Sequence, residues 1–262
     1  MWCSLYGGIH NSGPIDQYKS VRQETRLPRT VNRELQGLRS LMYLAVRWNY
    51  LRQNPFAHVK MCRVPESKPK YLTRTQAAHF ISVINEEWLR DLVFFAINTG
   101  LRRAEITHLT WSKVDFENRI LIIQSDPNFK TKAGKSRIVP MNDQVFNLLS
   151  RYRENKRSEL VFNFEGEKIR EDRLTKGFKR FLKIAELDES LTFHHLRHTF
   201  ASLLVQDGVS IYEVQKLLGH SSITVTEIYA HLQSNTLHEA VGRISVNIDD
   251  SKKTNLKLLQ IN

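Results

Sequence analysis

The sequence predicts a mainly α-helical protein with one small antiparallel β-sheet, arranged as a short helical domain followed by an α+β domain. Apolar residues recur at helical spacing over much of the chain, and one β-branched run stands at Ile120 to Gln124. The segment from Arg63 to Lys70 contains two prolines and has no apolar period, which indicates an extended linker. The length of 262 residues fits this division into two domains.

The predicted segments are a short N-terminal domain, a linker, a main domain and a tail, at residues 1–62, 63–70, 71–245 and 246–262. Residues 1–70 have twelve Lys and Arg against four Asp and Glu, so they hold +8 of the total charge of +12. Such a surplus favours polyanionic partners, either nucleic acid or an anionic membrane surface. Glycines and prolines predict that residues 1–29 are irregular or weakly helical. The apolar spacing from Leu35 to near Asn49 predicts one basic amphipathic helix.

Composition excludes several classes of protein. Hydrophobic residues make up 41% and charged residues 25%, and no run reaches the roughly 18 apolar residues of a membrane span. The chain is therefore expected to be neither disordered nor integral to a membrane. Cys3 and Cys62 have no CxxC spacing, and the N-terminus does not resemble a signal peptide. We expect the protein in a reducing cytoplasm.

In the main domain, a capping box at Thr73 begins a first helix, and Thr99-Gly100 ends a second. A short helix is predicted near Arg103. The segment from Phe129 to Pro140 predicts two strands that reverse at Ala133-Gly134. Further helices are predicted at 142–153, 170–185, 194–207, 210–219, 223–232 and 235–243.

Two groups of polar side chains are candidates for anion binding. The predicted hairpin carries four basic residues and no acid, at Lys130, Lys132, Lys135 and Arg137. Taken alone, such a run favours a solvated strand face, and a phosphate site needs support from elsewhere in the sequence. His194 and Arg197 lie three residues apart on one predicted helical face, where they can meet one anion. Metal binding by His194 and His198 is the alternative, but the pair lacks the intervening Glu of zinc proteases.

Two further residues have simple structural explanations when each is taken alone. Tyr229 lies on an apolar helical stripe with Val225, Ile228 and Leu232, which is typical of a packed core tyrosine. His220 follows Gly219 at a predicted helix end.

The order of these residues resembles the tyrosine recombinase family, also called phage integrases, over about residues 30–245. The resemblance rests on the string from Thr99 to Glu105, the basic hairpin at Lys132, His194-x-x-Arg197, Leu218-Gly219-His220 and Tyr229. It implies an integrase-like catalytic fold behind a partial, basic helical core-binding domain that contacts DNA. The implied catalytic residues are Arg102, Lys132, His194, Arg197, His220 and Tyr229. Lys132 is preferred to its neighbours because it lies five residues before Arg137, which matches the family spacing.

The resemblance implies site-specific DNA recombination through a covalent 3′-phosphotyrosine, with no metal or cofactor. Tyr229 is the implied nucleophile, and the two arginines hold the phosphate oxygens, to which His220 also donates a hydrogen bond. His194 or the surrounding cations would assist loss of the Tyr229 proton. Lys132 would protonate the departing 5′ oxygen.

The implied partners are double-stranded DNA, a tetramer of this chain on synapsed DNA, and accessory DNA-bending proteins, with no membrane. The implied location is the cytoplasm, in association with the nucleoid, and the implied role belongs to phage integration, a mobile genetic element or chromosome-dimer resolution. A type IB topoisomerase shares similar chemistry and is one alternative. A catalytically impaired DNA-binding relic of an integrase is the other, because the N-terminal domain is short.

Overall fold

The computed structural model describes residues 13–65, 68–125, 129 and 136–232. The chain divides into two compact units, residues 1–67 and 68–262, and the division falls within the segment predicted as a linker. The helix predicted at 235–243 and the tail at 246–262 lie outside the described residues. Among the described helices, none is both long and apolar enough to cross a membrane.

The first unit contains helix α1, Gly13–Thr25, and helix α2, Pro28–Arg47. The expectation of irregular or weakly helical chain over residues 1–29 is therefore wrong for 13–25. Pro14 stands in the first turn of α1, where a missing backbone N–H costs nothing. This glycine-proline pair thus marks a helix start rather than a loop. The unit's buried core consists of Val31, Leu35, Phe56, Val59 and Cys62.

The second unit is mostly helical. Its helices are α3 Arg74–Val83, α4 Glu87–Thr99, α5 Arg103–Thr107, α6 Asp143–Glu154, α7 Glu171–Ile184, α8 His195–Gln206, α9 Ile211–Leu218 and α10 Thr224–Glu227. Its strands are β1 Val114–Asp115, β2 Ile120–Ile123, β3 Arg137–Pro140, β4 Asn163–Phe164 and β5 Glu167–Lys168. Helix α8 packs against α9, which follows it in the sequence, and against α4, which lies far earlier in the chain.

Strands β1, β2 and β3 form an antiparallel sheet in that order, and β4 pairs with β5. Leu121 of β2 pairs with Val139 of β3, and both side chains are buried in the main core. The β-branched run therefore supplies the partner of β3. The reversal predicted at Ala133-Gly134 lies outside the described residues.

The single helix predicted over 223–232 is wrong. Helix α10 ends at Glu227, and a 3-10 helix, Ala230–Leu232, follows. Its β-branched sequence Thr224-Val225-Thr226 has low helix propensity, which explains why α10 is short. Val225 and Ile228 are exposed, so the predicted apolar stripe does not form. Tyr229 turns inward, into a small core whose other buried members are Ala201, Val205, Val214 and Leu218, and Leu232 packs against the same core.

Candidate active site

Arg102 stands at the junction between α4 and α5. Helix α4 ends at Thr99 and is capped by Gly100, whose φ of 63° is the left-handed conformation that glycine adopts without strain. A Cβ at this position would lie 2.3 Å from the Phe200 ring, so a larger residue does not fit. The turn buries Leu101 and makes Arg102 the residue that precedes the first turn of α5.

A buried carboxylate fixes Arg102. Glu105 accepts a bond from Nη1 of Arg102 at 2.9 Å and another from its backbone N–H at 2.8 Å. Arg137 of β3 donates to both Glu105 oxygens, at 2.9 and 2.6 Å. Burial acts to raise the pKa of the Glu105 carboxyl, but the bonds and charge of Arg137, with those of Arg102, lower it to about 2. Glu105 is therefore an anion at neutral pH and holds two arginines in place.

Arg197 is the most enclosed cation of this group, with only 3% of the residue exposed. It lies in the first turn of α8, and its Nη1 donates to the Gly100 carbonyl at 2.8 Å. Its Nη2 donates to the carbonyl of Leu218 at the end of α9. Burial, followed by the charge of Arg102, lowers the pKa of the Arg197 guanidinium to about 9, so it remains charged at neutral pH. Arg197 thus joins the ends of α4 and α9.

His220 follows the second glycine that this arrangement requires. Gly219 has a φ of 65°, and a Cβ there would lie 2.7 Å from Cδ of Arg137. The same Arg137 donates from Nε to the Leu217 carbonyl at 2.9 Å. Nδ1 of His220 lies 2.9 Å from Oγ1 of Thr226. Burial, followed by the charges of nearby arginines, lowers the pKa of His220 to about 4, so its imidazole is neutral at physiological pH.

Tyr229 interacts electrostatically with Arg197 and is only 1% exposed. Its hydroxyl is 2.5 Å from Nδ1 of His198, a residue on α8. Burial raises the pKa of Tyr229 to about 12, although the charge of Arg197 opposes the rise. His194 precedes α8, and its ring stands edge-on to that of His198 with centroids 5.1 Å apart.

The structure thus brings five of the six predicted residues onto one connected set of elements. Arg102, Arg197 and His220 meet around the ends of α4 and α9. Helix α8 carries His198, whose ring contacts Tyr229, and His194 lies just before that helix. Lys132 lies outside the described residues. Sequence reasoning assigned no role to Glu105; it considered His198 only as a metal ligand and Arg137 only as one of the basic residues of the predicted hairpin. Two signals in the sequence could have pointed to Arg137 and Glu105. Arg137 lies five residues after Lys132, and Glu105 lies within the string that contains Arg102.

The charges in this group favour an anionic ligand. Arg102, Arg137 and Arg197 carry three positive charges, and Glu105 carries one negative charge. The excess lies where water is partly excluded, so attraction to an anion is stronger than on an exposed surface. Planar guanidinium groups match the oxygens of a phosphate group.

Residues 70–236 match the phage integrase family. The chain belongs to this family. It is 26% identical over 239 residues to tyrosine recombinase XerD of Lacticaseibacillus casei, and the match covers 86% of this chain and 80% of that protein. It is 29% identical over 223 residues to tyrosine recombinase XerC of Chlamydia muridarum, and this match covers 80% of this chain and 69% of that protein.

A solved structure of the Tn1549 transposon integrase in complex with transposon right end DNA superimposes with a TM-score of 0.73. The two chains are 25% identical, and the match covers 88% of this chain and 84% of the other. The predicted fold class and family are therefore confirmed. As a phage integrase, the chain is an enzyme of DNA cleavage and rejoining that carries out site-specific recombination. The topoisomerase and relic alternatives are not favoured.

Proposed function

We propose that this integrase cleaves double-stranded DNA by attack of Tyr229 on a phosphodiester, which leaves a 3′-phosphotyrosine and a free 5′ hydroxyl. The observation that carries the proposal is a buried tyrosine that interacts electrostatically with Arg197, a guanidinium that the Gly100 and Leu218 carbonyls hold in place. A phosphodiester under attack gathers negative charge on its non-bridging oxygens. Groups already held in place stabilise that charge without reorganising during the reaction.

Arg102 and Arg197 are proposed to donate hydrogen bonds to the two non-bridging oxygens. A guanidinium has five N–H donors, so Arg197 can hold the carbonyls of Gly100 and Leu218 and still donate to phosphate. His220 is proposed to donate a further hydrogen bond to the phosphate. His194 is proposed to assist loss of the Tyr229 proton, together with the surrounding cations.

The covalent intermediate explains how strands are exchanged without an energy source. Breaking one phosphoester bond while forming another keeps the total bond energy nearly constant. The 5′ hydroxyl of another strand then attacks the phosphotyrosine and releases Tyr229. We propose that this occurs in a tetramer of the chain on synapsed DNA, with the help of accessory DNA-bending proteins, in a nucleoid-associated cytoplasmic setting.

The first unit is proposed to serve as a partial core-binding domain that contacts the DNA backbone. Its surplus positive charge includes several exposed arginines, at positions Arg26, Arg29, Arg33 and Arg47. Exposed cations of this kind bind phosphates with little regard to base sequence.

Trapping the covalent adduct tests the proposed function. Nicked suicide duplexes, tiled across the DNA that flanks the gene, lose a short fragment after cleavage and so trap the protein on the DNA. We expect a protein-DNA band on a denaturing gel that persists in excess EDTA, because the arginines supply the positive charge that metal ions give in other phosphoryl transfers. Loss of the band in EDTA, with DNA binding retained, would contradict this mechanism. A relaxation assay on plasmid that lacks the site separates recombinase from topoisomerase activity.

Lys132 provides a separate prediction about the leaving group. Lys132→Ala is expected to slow cleavage by roughly 10²-fold or more, the usual contribution of a general acid. A duplex whose 5′ bridging oxygen is replaced by sulfur should restore the rate, since a thiolate leaves without a proton. Lys130→Ala and Lys135→Ala are the matched controls and should need no rescue. Rescue of either control instead of Lys132→Ala would assign the acid to that lysine.

A further inference from the structure

The hydroxyl of Tyr229 has a partner that the family resemblance did not supply. Nδ1 of His198 lies 2.5 Å from the Tyr229 oxygen, and the two ring centroids are 5.8 Å apart. Because Tyr229 is only 1% exposed, the protein rather than bulk water orients this hydroxyl. Thus His198 touches the atom that attacks phosphorus in the proposed reaction.

The direction of this hydrogen bond follows from the two protonation states. Burial raises the pKa of Tyr229 to about 12, so the phenol keeps its proton at neutral pH. Burial, followed by the charges of His194, His195 and Arg197, lowers the pKa of His198 to about 4, so its imidazole is neutral. The phenol therefore donates and Nδ1 accepts, which leaves the hydrogen of the neutral imidazole on Nε2.

We propose, building on the function proposed above, that His198 is a further catalytic residue that orients the Tyr229 hydroxyl and receives its proton during DNA cleavage. The bond from Tyr229 oxygen to phosphorus forms as the bond from phosphorus to the 5′ oxygen breaks. The phenolic proton moves to Nδ1 of His198, and the 5′ oxygen takes its proton from the proposed acid Lys132. In rejoining, the imidazolium of His198 returns the proton as the tyrosine oxygen leaves phosphorus.

The timing of the proton transfer follows from the hydrogen bond between Tyr229 and His198 and from the proton affinities of its two partners. Transfer before attack is strongly unfavourable, because the free phenol binds its proton far more tightly than this imidazole does. The tyrosine oxygen loses that affinity as its electron pair enters the bond to phosphorus. The phosphate also brings negative charge close to Arg197, which offsets one of the charges that disfavour a protonated His198. The proton therefore moves together with formation of the new bond.

This assignment divides the work of the two histidines on consecutive turns. His194 and His198 are four residues apart, with their rings edge-to-face. His198 contacts the nucleophile directly, whereas His194 lies at the start of α8. The role of His194 as an assisting group is retained, and the acceptor of the tyrosine proton is assigned to His198.

His198→Gln tests the proposal, because a glutamine oxygen can accept the hydrogen bond from Tyr229 but cannot take its proton. Single-turnover adduct formation is measured on the suicide duplexes, with a normal 5′ oxygen and with 5′ sulfur. We expect the rate to fall by about 10²-fold or more on both substrates. DNA affinity and the thermal unfolding temperature should stay close to wild type. His79→Gln, on the exposed surface of α3, is the matched control and should retain the wild-type rate.

Three results would overturn the proposal while leaving the proposed function intact. A His198→Gln rate within threefold of wild type would show that no proton acceptor is needed at this position. A return of the His198→Gln cleavage rate to the wild-type value on the 5′-sulfur substrate would show that His198 helps to protonate the leaving 5′ oxygen instead. A loss of DNA affinity as large as the loss of rate would place it in binding. If wild type forms no adduct on any duplex, the proposed function fails, and this proposal with it.

Discussion

Tyr229→Phe is expected to abolish the covalent protein-DNA adduct while the protein still folds and binds DNA. The substitution removes only the hydroxyl that would attack phosphorus and leaves the ring in the core of Ala201, Val205, Val214 and Leu218. The lost hydrogen bond to His198 should cost about 0.5–1.5 kcal/mol of folding free energy, which a folded domain tolerates. Denaturing gels of suicide-duplex reactions measure the adduct, and thermal unfolding checks the fold.

Tyr212→Phe is the matched control for this experiment. Tyr212 lies on α9 and is 70% exposed, so its hydroxyl should be dispensable for cleavage. We expect wild-type amounts of adduct from this control. An undiminished adduct from Tyr229→Phe would remove Tyr229 from the mechanism.

Arg197→Lys is expected to impair both cleavage and stability. Lysine keeps the positive charge but cannot place two donors in a planar fork, so a carbonyl of Gly100 or Leu218 loses its partner. An unpaired buried carbonyl costs about 1–3 kcal/mol, which lowers the thermal unfolding temperature. Loss of one fixed donor to the phosphate should slow cleavage by about 10²–10³-fold.

Arg157→Lys, an exposed position after α6, controls for the chemical change and should affect neither quantity. Calorimetry and single-turnover adduct formation give the two readouts for each variant. Wild-type stability together with the wild-type cleavage rate in Arg197→Lys would show that neither the carbonyl contacts nor the fork geometry matters.

Local sequence signals predicted much of the second unit because they report on local structure. The capping box at Thr73 begins α3, and the glycines at 100 and 219 end α4 and α9 in the left-handed conformation. The β-branched run at Ile120 forms β2. These features depend on hydrogen bonds and backbone angles within a few residues, so the chain alone specifies them.

Contacts between distant elements could not be predicted in the same way. The bonds from Arg137 to Glu105 and from His198 to Tyr229 each join residues about thirty positions apart. Periodicity placed Tyr229 on a continuous apolar helix, but helix α10 ends at Glu227, before Tyr229, and Val225 is exposed. In the first unit, the expectation of irregular or weakly helical chain missed the glycine-proline start of α1, because glycine and proline occur both in loops and at helix starts.

Mass spectrometry of the trapped adduct tests the central claim most directly. The wild-type protein is reacted with a suicide duplex, the DNA is trimmed with nuclease, and the protein is cut into peptides. We predict that one peptide carries a residual nucleotide through a phosphoester on the Tyr229 oxygen. The phosphate should be joined to the 3′ oxygen of that nucleotide. A nucleotide attached to any other residue, or a 5′-linked phosphate on Tyr229, would contradict the account.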